Sequence, residues 1–344
     1  GNPSSVHALG RAARRTVEDA REQVRILVNA PENAQVVFTS GGTEANALAL
    51  IGCAREKVFA PGTEHPSVLN ARGGVERIRV DVNGLIDPFE LDEMFAGGGD
   101  DVVVSVMLAN NETGVLQQVE GIARVAHRYD ALVHCDAVQA AGKIDVDFQA
   151  LGVDMLSLSS HKIGGPQGVG ALIVASGVPL NTVQPGGGQE GGLRGGTENV
   201  PGIARFGAAA AAAKAGLETD MARVEALRDQ LEAGIAGIAP DAQVIARMAD
   251  RLPNTSLIIM PGVASDSQVM AFDLAGLCVS AGSACASGKA KQSGALGAMG
   301  VPSAVAKCAV RVSLGHTNKN EDIESFLSAW KDLYERSSAK HTAA

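Results

Sequence analysis

From Ala13 through Val17, Ala20, Val24 and Leu27 the apolar positions step by four and three residues, which predicts a helix with one buried face near the start of the chain. Short β-branched runs then recur at residues 35–39, 57–60, 101–108, 131–135, 154–158 and 169–174, most of them separated by helical pattern. Alternation of that kind predicts an α/β architecture, a mainly parallel sheet with helices on both faces. From about residue 199 to 238 the chain is rich in alanine and reads as one long helical region, with Gly216 and Gly234 as weak points. Beyond it the pattern predicts a strand over 255–260, a helix over 267–275, a short strand near 278–280, a strand over 309–314 and a last helix from about Asn320. That mixture makes a second, smaller α/β domain, so the chain divides into 1–215 and 216–344, with the long helix bridging the two.

In an open α/β sheet a ligand sits beyond the carboxyl ends of the strands. Five predicted strand ends carry polar chemistry. Ser40-Gly41-Gly42-Thr43-Glu44 follows the first, where two glycines let backbone amides open toward an anion at a helix N-terminus and Thr43 adds a hydroxyl. The spacing is not that of a nucleotide P-loop. His65 follows the second strand, Asn110-Asn111-Glu112 the third, Asp136 with Gln139 the fourth, and Ser159-Ser160-His161-Lys162 the fifth. Each alone has a plainer reading: a helix-start turn, a loop histidine, an N-cap aspartate, a solvated lysine. Together and in order, they supply a phosphate cradle, a carboxylate for a pyridinium nitrogen and a lysine for a Schiff base, the parts that pyridoxal phosphate requires.

Composition narrows the picture. With 46% apolar residues and only 3% aromatics among 344, the core must be built from Val, Leu, Ile and Ala in closely spaced layers. A formal charge of −9 leaves no broad basic surface, which argues against general nucleic-acid binding. No apolar run reaches the length that spans a bilayer, so no membrane partner is expected. Cys53, Cys135, Cys278, Cys285 and Cys308 are odd in number and dispersed, without metal-ligand spacing; they read as reduced thiols of a cytoplasmic protein with no intrinsic metal site. Four of them sit in or beside apolar segments. Cys285 differs: it lies in Ala281-Gly-Ser-Ala-Cys-Ala-Ser-Gly288, a run of small residues followed by Lys289 and Lys291, which predicts an accessible loop in which the thiolate is favoured.

Ser159-Ser-His-Lys162 with Gly164-Gly-Pro-Gln-Gly168, Thr39-Ser-Gly-Gly-Thr-Glu-Ala-Asn46, Thr63-Glu-His-Pro-Ser67, Asn110-Asn-Glu-Thr-Gly114, Asp136-Ala-Val-Gln139, Gly186-Gly-Gly-Gln189, Arg194-Gly-Gly-Thr-Glu-Asn199 and Ser283-Ala-Cys-Ala-Ser287 occur in order. On these motifs the chain resembles the class V aminotransferase family of fold type I pyridoxal-phosphate enzymes, and within it the cysteine desulfurases of iron–sulfur assembly. The resemblance implies a seven-stranded-type sheet in a large cofactor-binding domain over 1–215, and a small C-terminal domain over 216–344 carrying the cysteine loop. It implies that Lys162 holds pyridoxal 5'-phosphate, that His65 stacks on the ring, that Asp136 and Gln139 address ring nitrogen and phenolic oxygen, and that Gly42, Thr43, Ser159 and His161 hold the phosphate. Thr197 would reach the phosphate of a neighbouring subunit, which implies a homodimer. Arg311 would bind the substrate carboxylate, and Asn111 would face both substrate and cofactor.

The activity so implied is conversion of L-cysteine to L-alanine with a persulfide left on Cys285, His65 and Lys162 sharing the catalytic work. An iron–sulfur scaffold protein or another sulfur acceptor would take the sulfur, and Cys285 would serve as a transient iron–sulfur ligand beside such a scaffold. The family opens with a further segment ahead of Gly1-Asn-Pro3, so the natural chain is expected to begin earlier. Gly191, Gly195 and Gln167 stand where Arg, Ser and Lys are common, and altered local flexibility is expected there. A selenocysteine lyase or another class V aminotransferase is the alternative on the same scaffold, and a non-catalytic assembly scaffold the alternative from another class.

Overall fold

The structure, a computed structural model, describes residues 1–282 and 293–342; Cys285, Lys289 and Lys291 lie outside the described residues. The chain forms two compact units. The first comprises 1–79, 86–109 and 117–217, and the second comprises 80–85, 110–116 and the chain from 218 onward.

The first unit contains α1 (Ala8–Leu27), β1 (Gln35–Thr39), α2 (Gly42–Gly52), β2 (Lys57–Pro61), α3 (Pro66–Leu69), β3 (Val75–Ile78), α4 (Pro88–Met94), β4 (Val102–Met107), α5 (Val119–His127), β5 (Leu132–Asp136), α6 (Phe148–Leu151), β6 (Met155–Ser159) and β7 (Gly170–Val174). Its seven strands lie in the order β1-β7-β6-β5-β4-β2-β3. β7 alone runs against its neighbours; all other pairs are parallel. Strands covered on both faces cannot alternate apolar and polar residues, and every residue of β4 to β7 is accordingly buried. α1 buries the predicted stripe of Ala13, Val17, Ala20, Val24 and Leu27, and starts where His7 Nδ1 accepts the Gly10 amide at 3.2 Å. Each buried Val or Leu there contributes roughly 1.5–3 kcal/mol, so a charge at Val24 would detach the helix.

One polar pair of contacts crosses the middle of this sheet. His134 of β5 is fully buried, with Ser105 Oγ 2.8 Å from Nδ1 and Ser157 Oγ 2.8 Å from Nε2. Both ring nitrogens are paired, and burial pushes the imidazole down to about 3, so the ring stays neutral.

α7 (Val200–Ile238) runs unbroken through both glycines read as weak points. Leu327 packs where a Gly234 side chain would be, a close approach rather than a break. The second unit adds β8 (Gln243–Val244), β9 (Thr255–Ile259), α8 (Ser265–Leu274), β10 (Ser280–Ala281), α9 (Gly294–Ala298), α10 (Ser303–Ala306), β11 (Ala309–Ser313) and α11 (Asn320–Thr342). Its strands form an antiparallel sheet in the order β10-β11-β9-β8. Phe272, Phe326 and Trp330 stack in its core, with Phe272 and Phe326 centroids 4.9 Å apart. A buried ion pair closes beneath the sheet. Arg251 Nη1 and Nη2 meet Glu232 Oε1 and Oε2 at 3.0 and 3.1 Å, and Ser256 Oγ donates to the same carboxylate at 2.5 Å. Arg251 also lies at a bridge to Val115, where Leu116 N–H donates to Asp250 O at 2.9 Å and Leu252 N–H to Gly114 O at 2.8 Å.

Candidate active site

Asp136 ends β5, the central strand, and is 5% exposed. Its Oδ2 accepts from Asn46 Nδ2 at 2.7 Å and its Oδ1 from the Val138 amide at 2.9 Å. Burial raises its pKa above the ordinary carboxylate value, opposed by these hydrogen bonds and by the charges of His65 and Lys162. Asn46 sits one helical turn beyond Gly42 on α2, and its other amide hydrogen goes to Ser67 Oγ at 2.9 Å. Ser67 Oγ in turn stands 2.7 Å from His65 Nδ1, which also accepts the Ser67 amide at 3.1 Å as the N-cap of α3.

These contacts determine the protons. Asp136 accepts only, so the Asn46 amide must turn its NH2 to it; Ser67 Oγ then accepts from Asn46 and donates its own hydrogen to Nδ1. His65 is thereby held as the Nε2–H tautomer. Burial lowers the His65 pKa below the ordinary value, Asp136 raising and Lys162 lowering it, so the ring is neutral near pH 7.

Lys162 lies in a 3-10 turn, Ser160–Ile163, that follows β6. Ser159 Oγ lies 3.0 Å from His161 Nδ1, and burial lowers the His161 pKa, with Lys162 and Lys143 acting the same way. α2 begins at the glycine pair. A Cβ on Gly42 would lie 2.7 Å from Val138 Cγ2 and 3.5 Å from Ser159 Cβ, so a side chain there is excluded and the helix start is pressed onto the ends of β5 and β6. Glu44 fixes the turn: its Oε2 accepts the Ser40 amide at 2.6 Å, and Arg194 holds it at 2.7 and 3.2 Å. Thr43 is exposed beside these amides, an arrangement ready for an anion. Gln139 Oε1 accepts from Lys143 Nζ at 3.3 Å. Thr197 is exposed in the wall of a cavity of about 160 Å³ that Thr39, Ser40 and Arg194 also line.

In the second unit Arg311 Nη1 donates to Asn111 O at 2.5 Å, and Nη2 lies 3.4 Å from Ser280 Oγ. Glu112 accepts from Ser293 Oγ; burial raises its pKa, with Ser293 and Arg311 opposing. The structure thus places Gly42, Thr43, His65, Asp136, Gln139, Ser159, His161, Lys162 and Thr197 in one unit, and brings Asn111 to Arg311 in the other. At Gly195 the chain packs closely on Gly186: a Cβ there would lie 2.5 Å from Gly186 Cα. Asn46 and Ser67, which organise Asp136 and His65, were given no role by the sequence. The signal present was an asparagine in the apolar run of α2 at a spacing of four from Gly42.

Residues 1–326 match the class V aminotransferase family model. The chain belongs to the class V aminotransferase family. A cysteine desulfurase from Cereibacter sphaeroides is 42% identical over 341 residues, covering 95% of this chain and 87% of that protein. A NifS-like protein from Rickettsia africae, known from an X-ray structure, superposes with a TM-score of 0.91 at 36% identity over 97% of this chain and 92% of that one. SspA in complex with cysteine superposes with a TM-score of 0.78 at 29% identity over 91% and 90%. Class V aminotransferases are pyridoxal-phosphate enzymes, and the predicted α/β fold with its mostly parallel sheet is the fold type I architecture of these relatives. The residues fit that cofactor: a helix start where a Cβ is excluded, a buried carboxylate with both oxygens held by donors, and a lysine whose charge acts on that carboxylate.

Proposed function

We propose that this chain converts L-cysteine to L-alanine and delivers the sulfur onto Cys285. The observation that carries the reading is Asp136: a buried carboxylate at the end of the central strand, oriented through both oxygens and acted on by His65 and Lys162. Lys162 would hold pyridoxal phosphate covalently, the amides of Gly42 and Thr43 with Ser159, His161 and a second copy's Thr197 would hold its phosphate, and Asp136 and Gln139 would address ring nitrogen and phenolic oxygen. When bound, this group supplies an electron sink that weakens the bonds at the substrate α-carbon.

The protein's own groups do the rest. Arg311 and Asn111 grip and orient the substrate carboxylate. His65, its Nε2–H tautomer fixed by Ser67, would lie against the ring. Lys162 Nζ would move the α-proton, and Asp136 as a carboxylate would keep a proton on the ring nitrogen. Cys285 Sγ attacks the substrate sulfur as a thiolate: the Sγ–S bond forms, the substrate Cβ–S bond breaks, and Cβ keeps the electron pair and takes a proton. Cysteine plus thiol thus gives alanine plus persulfide, with the carbon reduced and the sulfur oxidised and no outside oxidant. Residues 1–215 serve as the cofactor domain of a cytoplasmic homodimer, 216–344 carry Cys285, and an iron–sulfur scaffold protein or another carrier takes the sulfur.

Incubation of the purified protein with cysteine tests the reading, with visible absorbance, alanine, and mass of the Cys285 peptide followed beside Lys162→Ala and Cys285→Ala. Alanine with a +S mass on Cys285, lost in both variants, is expected. A yellow protein that forms no alanine from cysteine would overturn the substrate, and one that never takes up pyridoxal phosphate would overturn the mechanism.

A further inference from the structure

Glu64 stands between β2 and His65 and is 4% exposed. Its Oε1 accepts the Met107 amide at 2.5 Å, while its Oε2 has no hydrogen-bond partner. Met107 lies opposite Asp136 in the pairing of β4 with β5, so two carboxyls share one dry patch at the end of the sheet. Their surroundings differ in kind. Asp136 has a donor on each oxygen, whereas an ionised Glu64 would leave negative charge on a buried oxygen that no donor approaches. The groups acting on Glu64 are Asp136 and, more weakly, Arg77 of β3; Cys135 of β5 lies close enough to feel its charge, and His65 and Lys162 act on Asp136. Burial and Asp136 both push the Glu64 carboxyl well above its ordinary value.

We propose that Glu64 is a positioning residue which, as an uncharged carboxylic acid with its proton on Oε2, props the Met107 amide and leaves Asp136 the sole carboxylate of the cluster. The proposal rests on the reading of Asp136 as partner of the cofactor's ring nitrogen. One negative charge then faces one ring N–H, whereas a second carboxylate beside Asp136 would drive Asp136 toward its own protonated form and remove the charge that the ring requires.

Infrared spectra of the cofactor-free protein at neutral pH, in H2O and D2O, test the proton directly. A protonated-carboxyl C=O band is expected in the natural protein and absent from Glu64→Gln; identical spectra for the two would overturn the proposal. Pyridoxal phosphate titrations test the role. Glu64→Ala, which removes the Glu64 acceptor of the Met107 amide, is expected to bind about tenfold more weakly. Glu64→Gln, uncharged and still an acceptor, should restore affinity to within about threefold and leave the pH midpoint of the bound cofactor's absorbance in place. A Gln variant as weak as Ala, or a moved midpoint, would show that a charge is required and end the idea. Should Glu64→Gln not fold, Glu64→Leu serves for the infrared comparison. A natural protein that binds no pyridoxal phosphate breaks the functional reading instead, and the infrared band still decides Glu64.

Discussion

Two buried ionic clusters, one in each unit, are built to opposite plans. Around Arg251 the two terminal guanidinium nitrogens and both Glu232 oxygens meet each other, Ser256 adds a third donor, and Thr255 O takes one more contact at 3.2 Å. Around Asp136 the network runs from Asn46 through Ser67 to His65 but leaves Asn46 Oδ1 and Glu64 Oε2 without partners. A polar cluster that serves only stability pairs every atom, because an orphan inside the protein costs about 1–3 kcal/mol. One that serves chemistry tolerates such orphans beside the group that reacts. Substitutions in the Arg251 cluster should therefore lower stability and spare chemistry, and those around Asp136 the reverse.

The sharpest break comes from Lys162→Ala, expected to lower alanine formation by about 10⁴-fold while the melting temperature of the cofactor-free protein holds. Next is Arg251→Met, which strands Glu232 in the interior and should cost about 3–5 kcal/mol in urea unfolding; adding Glu232→Leu should recover most of it. If both single variants lost stability and activity in the same proportion, the division between the clusters would be gone. Asn46→Ala removes one charge-assisted hydrogen bond from Asp136, about 1.5–3 kcal/mol, read as roughly 10- to 100-fold weaker uptake of pyridoxal phosphate.

His134 extends the closed plan into pH. Its folded value of about 3 lies below the ordinary 6.5, so the unfolded chain binds the extra proton. The stability this provides is complete above pH 6.5 and is lost as pH falls toward 3. Between pH 7 and 5 the loss is about 2 kcal/mol, and His134→Asn should flatten that acid limb of the unfolding curve. The smallest effect belongs to Arg124→Ala, whose pair with Glu120 is open to water at 72% and 65% exposure; a change beyond about 0.5 kcal/mol would be surprising.

Much of the scaffold was legible because burial imposes period. The α1 stripe and the apolar runs of β4 to β6 appear in the structure nearly as read, and the ordered strand-end motifs pointed to the same sheet edge. β3 was missed: Glu76 and Arg77 face water on an edge strand paired only with β2, so no apolar run marks it. α4 was missed for want of length, though Asp87 as N-cap and Pro88 in the first turn were there to see. At the candidate site the residues with recognisable chemistry could be named, but Asn46 and Ser67 could not. Their work is hydrogen bonding across separate elements, and no local pattern records which carboxylate a buried amide will meet. The pairing of 114–116 with 250–252 was hidden for the same reason.

That last pairing has a consequence for synthesis. Residues 110–116 are made early, yet the backbone partners of Gly114 and Leu116 are Leu252 and Asp250. At 5–20 residues per second, a ribosome needs roughly 7–27 s to supply them. During that interval the nascent chain holds Asn111 and Glu112 on a segment whose partner, 250–252, has not yet been made. A chain cut after residue 217 should emerge with two stranded segments and call on chaperones, whatever the quality of its seven-stranded sheet.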